Sequence, residues 1–297
     1  MKSLLRLAVT AFIFCSCSHS PEEKAFVPSF TTYKTDSPVA GTIAVKNEIF
    51  YGTLNPVEIS AIFQRMGVSY SNAILNPPSN AGMYLSSSKA ALNTGIYGVD
   101  FGYLKLFGVG QEMIDYAITI RSLSNKLGIP DEYLNSTLKL IEGNIPNADS
   151  VMKFMNNAFS DMNEQLRESG RESTAGLLVM GGWIEAMYIV TQQVYDPAKP
   201  DPEIVQKIAE QKFTLNSLLS FIKNYYDDPV VVYFSKKLKY LNNYFDSFDI
   251  YFRKGDLEID TVKQVFRASG SEMNITVETL NDIKDYVSKL RTEIVTP

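Results

Sequence analysis

The chain has 297 residues, with 28 basic and 33 acidic side chains, a net charge of −5, one histidine and two cysteines. This acidic balance, with no basic block, argues against a nucleic-acid partner, whose phosphates are met by clustered Lys and Arg. The one histidine (His19) and the two cysteines (Cys15 and Cys17) all fall within the first 19 residues, so the body of the chain cannot furnish Ser-His-Asp or Cys-His catalysis, a histidine zinc site or a cysteine-bound cluster; no metal and no cofactor are expected, and any enzyme chemistry would have to run on carboxylates, Tyr, Lys, Arg or a hard metal ion.

Lys2 and Arg6 precede an apolar run from Leu4 to Phe14. At about a dozen residues the run is short of the ~20 a spanning helix needs. It reads as a secretory signal covering residues 1–16. Its end, Phe14-Cys15-Ser16-Cys17, resembles a bacterial lipobox with Cys17 as acceptor of diacylglycerol and Ser16 as the small residue before the cut. A disulfide across one intervening residue is strained, and His19 alone does not complete a metal site, so lipidation is the preferred use of Cys17. The expectation is a palmitate-bearing lipoprotein held to a membrane by its anchor, in the outer membrane, facing periplasm or cell surface.

Residues 17–50 carry Pro21, Pro28 and Pro38 among polar residues and read as a flexible tether, with some β character from Gly41 to Thr53. Residues 51–297 are expected to form one helical domain. Asn55, Pro56 and Glu58 open a helix that Gly67 closes. Pro77-Pro78 breaks the chain before a long run from about 79 to 108. Met113, Tyr116, Ile120, Leu123 and Leu127 share one helix face, and Gly128 with Pro130 ends it. A short helix follows at 131–142, then one marked by Met152, Met155, Phe159, Met162 and Leu166. Residues 171–195 are apolar nearly all round, which predicts a central helix. Asp201 caps the next helix with Pro202 inside it, and Pro229 starts another. Leu280, Ile283, Val287, Leu290 and Ile294 form a heptad-like final stripe, while residues 260–270 are ambiguous. The fold class is all-α, either an irregular antiparallel bundle or a short α-solenoid resembling tetratricopeptide repeats.

Three stretches carry the candidate functional residues. Gly95, Gly98 and Gly102 lie at spacings of three and four on one predicted helix. Each costs about 1 kcal/mol against alanine there, so a compensating close approach is expected. Gly181 and Gly182 are the expected partner surface, with a glycine-lined cleft as the weaker alternative. Asp100 and Glu185 interrupt the same apolar segments. Buried carboxylates need partners, and Arg121, Arg171 and tyrosine hydroxyls are the candidates. A structural ion pair is favoured over a catalytic carboxylate pair. Finally, Tyr233, Tyr240, Tyr244 and Tyr251 run beside the core stripe Phe234, Leu238, Leu241, Phe245, Phe248 and Phe252. They read as a core boundary or as a groove for a sugar or peptide.

The blocks Gly95–Leu104, Leu123–Ile129 and Arg171–Thr191 resemble a family of helical lipoproteins from Bacteroidetes that carry a short "LGI" and a later "RES…GGW-E" segment in this order. The resemblance implies a helical lipoprotein over roughly residues 50–290 and assigns no catalytic residue. Glu22 and Glu23, soon after Cys17, partly match the acidic surface-export signal of that phylum. The functional expectation is a lipid-anchored, non-enzymatic module that binds an envelope protein or a small ligand. The alternative is a carboxylate-based hydrolase using Asp100 and Glu185.

Overall fold

The computed structural model describes residues 66–252, 257–260, 265–268 and 272–296. The signal, the lipobox, the tether and nearly all of the Asn55–Gly67 helix lie outside the described residues. Eight α-helices dominate what is described: α1 Ser87–Phe107, α2 Gly110–Lys126, α3 Asp131–Glu142, α4 Ala148–Glu168, α5 Glu172–Ile189, α6 Pro202–Ile222, α7 Pro229–Asp246 and α8 Val277–Val295. The fold is all-α.

Local chemistry sets the helix ends. Asp201 Oδ1 accepts the amides of Glu203 and Ile204, and Asp228 Oδ1 those of Val230 and Val231. Each cap precedes a proline at the first helical position, where the missing N–H has no partner to lose. Ser86, Asn147 and Thr276 cap α1, α4 and α8 in the same way. Gly108 and Gly128 end α1 and α2 with φ of +67° and +68°, a conformation glycine adopts without steric cost.

The apolar helix α5 is the axis of the bundle. It continues into a π-turn at Val190–Val194. By length and composition Glu172–Val194 is apolar enough to cross a membrane, yet 72% of its apolar window is buried inside the protein. Its hydrophobicity is accounted for by Leu177, Met180, Trp183, Ile184 and Met187, all within the core. Each such side chain contributes about 1.5–3 kcal/mol by leaving water. Helix α1 packs along α5 more extensively than any other pair does, and α8 contacts α5, α7 and α1. Contacts between helices so distant in sequence make this a bundle, because the repeats of a solenoid touch only their neighbours.

Between α7 and α8 the chain departs from helix. β1 (Ile250–Tyr251) pairs antiparallel with β4 (Glu272–Met273), and β2 (Leu257–Asp260) with β3 (Val265–Ala268). Of the ambiguous residues 260–270, those described, Asp260 and Val265–Ala268, therefore lie in paired antiparallel strands.

Candidate functional site

Helices α1 and α5 cross at their glycines. A Cβ on Gly95 would lie 2.7 Å from the Gly182 nitrogen, and one on Gly181 would lie 2.7 Å from the Leu92 carbonyl carbon. Both obstacles are backbone. The three glycines of α1 do not share this partner, however. Gly98 faces Phe159 of α4, with a Cβ–Cε2 distance of 2.8 Å, and Gly102 meets only the Met152 Cε at 4.0 Å. Spacings of three and four rotate successive residues about the helix axis, enough here to divide the row between two neighbours.

The close crossing carries Asp100 and Glu185 into the interior, where both are 0% exposed. Their partner is neither Arg121, which donates to Asn135, nor Arg171, which donates to Ser169 and the Leu127 carbonyl. It is Arg291 of α8. Nε donates to Glu185 Oε2 at 3.0 Å, and Nη2 donates to Oε1 at 3.1 Å and to the Ile74 carbonyl at 3.2 Å. The guanidinium also lies over the Tyr188 ring, 4.6 Å from its centroid. Asp100 Oδ2 accepts the Asn76 amide at 3.1 Å, and its carboxyl lies beside that of Glu185. Asp100 Oδ1 receives no donor.

Two buried carboxyls side by side repel one another as anions, which favours a proton on one of them. Burial pushes Asp100 well above its usual range and Glu185 beside it adds to the rise, with Arg291 opposing. Burial also lifts Glu185, and the Arg291 fork pulls it back. Burial thus favours the neutral form most at Asp100, while the Arg291 fork favours the ionised form of Glu185.

The network continues to the end of α8. Asn76 Nδ2 donates to Asn93 Oδ1 and to Tyr84 Oη, each at 3.0 Å. Tyr84 Oη in turn bonds the Val295 carbonyl, and Asn93 Nδ2 the Ile294 carbonyl. Lys89 Nζ donates to the carbonyls of Glu293, Ile294 and Thr296. The last carbonyls of α8, which no intrahelical donor satisfies, are thus capped by α1 and by the segment before it.

The tyrosines lie on the opposite flank of α8. Tyr233 and Tyr240 of α7 are 49% and 54% exposed. Tyr233 Oη donates to Glu293 at 2.6 Å, and Lys237 both bridges to Glu293 at 2.9 Å and covers the Tyr233 ring. Tyr240, Tyr244 and Tyr286 of α8 form an aromatic cluster with centroids 5.1–6.1 Å apart. Tyr251 does not extend this row, because α7 ends at Asp246 and Tyr251 stands on β1. A separate open groove of about 460 Å³ lies between α3 and α4. Glu132 and Asp161 are among its lining residues, as are Leu140 and Phe154. Among the described residues no group of three or more His, Cys, Asp and Glu is placed to hold a metal ion.

Arg291 was the residue missed, together with Asn76, Asn93 and Tyr84. One signal was present: Arg291 lies four residues after Val287 and eight after Ile283, so it occupies the apolar face of α8, where a charge needs a buried partner. No protein-family model matches the chain, and no curated protein or solved structure shows significant similarity to it.

Proposed function

We propose that the chain is a lipid-anchored helical module of the cell envelope that binds a partner through the tyrosine face of α7 and α8, without catalysing a reaction. The observation that carries the binding reading over the hydrolase reading is the enclosure of Asp100 and Glu185. A hydrolytic pair must reach substrate and water, whereas these two carboxyls are fully buried and engaged with Arg291 and Asn76. The tyrosine face offers the opposite properties: Tyr233 and Tyr240 present half-exposed rings with polar edges, a composition enriched where proteins meet partners. The anchor is supported by the sequence from Lys2 to Cys17 and by the resemblance to helical lipoproteins of Bacteroidetes.

The test uses the full chain in intact cells. Metabolic labelling with a clickable fatty acid should mark the wild-type protein and lose the mark in Cys17→Ala, while Cys15→Ala remains labelled. A photocrosslinking side chain at position 240 should give one discrete adduct that Tyr233→Ala abolishes without lowering the melting temperature. Labelling that survives Cys17→Ala refutes the anchor, and a featureless crosslinking pattern refutes the binding face.

A further inference from the structure

The buried network holds two carboxyls, both 0% exposed, and, among the described residues, one cation bonded to either of them, Arg291 on Glu185. The surrounding groups do not alter that count. On α1, Tyr97 donates to the Pro77 carbonyl, and Lys89 is turned to the carbonyls of α8. On α2, Lys126 is spent on the Ala81 and Tyr84 carbonyls, and Glu112 accepts from Tyr70; Tyr116 is neutral, with its hydroxyl unbonded. Tyr188 of α5 lies under the guanidinium with its ring face, and Glu293 of α8 faces outward to Lys237 and Tyr233. The cluster is electrically neutral only with one proton on the carboxyl pair. Two protons leave Arg291 unpaired, and none leaves an uncompensated anion out of reach of water.

The location of the cluster gives this a consequence. Arg291 belongs to the C-terminal helix, and Asp100 is joined to the end of that helix through Asn76 and then through Asn93 and Tyr84. We propose that the Asp100–Glu185 pair is a proton-operated clasp, in which one shared proton locks α8 into the bundle and loss of that proton releases it. The direction follows from burial: Asp100 is 0% exposed and its Oδ1 has no donor, which disfavours its charged form, so release comes as pH rises.

The chain carries its own reporter, because its single tryptophan, Trp183, is buried two residues from Glu185. Hydrogen exchange of the full chain, corrected for intrinsic rates and followed with Trp183 emission, tests the clasp across neutral and alkaline pH. The expected result is a loss of protection in residues 277–295 of up to about tenfold per pH unit, while residues 131–168 keep theirs and Trp183 emission shifts in parallel. Asp100→Asn supplies a permanent N–H donor to Glu185 and should flatten the response. A wild-type response no steeper in α8 than in residues 131–168 overturns the proposal, as does an Asp100→Asn protein that keeps the wild-type pH dependence. Should Asp100→Asn fail to fold, the infrared band of a protonated carboxyl in the native wild-type protein decides the matter. Its presence at neutral pH and disappearance as α8 is released support the clasp, and its absence at neutral pH overturns it.

Discussion

Gly181→Ala is the sharpest test of how this bundle is assembled. On an isolated helix the change would help, because alanine is favoured over glycine by about 1 kcal/mol. Here the new Cβ would sit 2.7 Å from the carbonyl carbon and 3.0 Å from the Cα of Leu92, where ordinary contact begins near 3.4 Å. A flexible side chain could turn aside, but Leu92 presents backbone from the second turn of α1. The two helices must therefore part along their whole interface. A radial gap of 0.5–1 Å already forfeits roughly a quarter to a half of each dispersion contact. Overpacking of this kind costs about 1–3 kcal/mol and sometimes more, and the crossing places Gly181→Ala at the upper end. After the propensity gain, the expected net loss is about 2 kcal/mol, or roughly 4–8 °C in melting temperature. Gly102→Ala is the internal control. It meets only the Met152 Cε at 4.0 Å, so propensity should prevail, with a gain of about 0.5–1 kcal/mol. Urea and thermal unfolding of both variants beside wild type decide the question. A Gly181→Ala protein as stable as wild type would refute the close crossing.

Two further predictions concern the buried network. Arg291→Leu strips the buried Glu185 carboxyl of its ion-pair partner and should cost about 3–5 kcal/mol in urea unfolding at neutral pH; a loss below about 1 kcal/mol would mean that the fork contributes little. The pKa of Asp100 is raised in the folded state, so its contribution to stability is fully present below its unfolded value of about 3.9 and is lost as pH rises toward the folded value. Measured as the difference between wild type and Asp100→Asn, this loss should grow by up to about 1.4 kcal/mol per pH unit above the unfolded value until the folded value is reached, and a difference that stays constant with pH would contradict it.

The helices were legible in the sequence because their signals are local. Asp201 before Pro202, the glycine after Leu127 and the stripe from Leu280 to Ile294 each act within one or two turns, and the observed boundaries follow them. The tyrosine row failed where its premise failed. Phe248 and Phe252 are buried as the extended stripe required, yet α7 stops at Asp246, and their burial comes from chain that has already left the helix. Tyr251, one position from Phe252, was carried by the same false periodicity onto a strand. The glycine row was half legible, because spacing shows which residues are near one face but not where one neighbouring helix ends and the next begins.

The ion pair lay beyond local reasoning altogether. Glu185 and Arg291 are separated by 106 positions, and Arg121 and Arg171, which are nearer in sequence to one carboxyl or the other, find partners elsewhere. What could be read was the need for a partner: an acid on a helix buried on nearly every side must be neutralised or paired. The same reasoning applied to α8 would have reached Arg291, since it shares the face of Ile283, Val287, Leu290 and Ile294. Those apolar residues alone would let α8 settle against α5 one turn higher or lower at little cost, because a stripe repeating along a helix is nearly self-similar under such a shift. The Arg291 fork is not self-similar. A displacement of one turn, 5.4 Å, breaks both bonds to Glu185 and leaves two charges unpaired in the core. The polar cluster thus gives the C-terminal helix the single register that the hydrophobic pattern, legible as it was, does not impose.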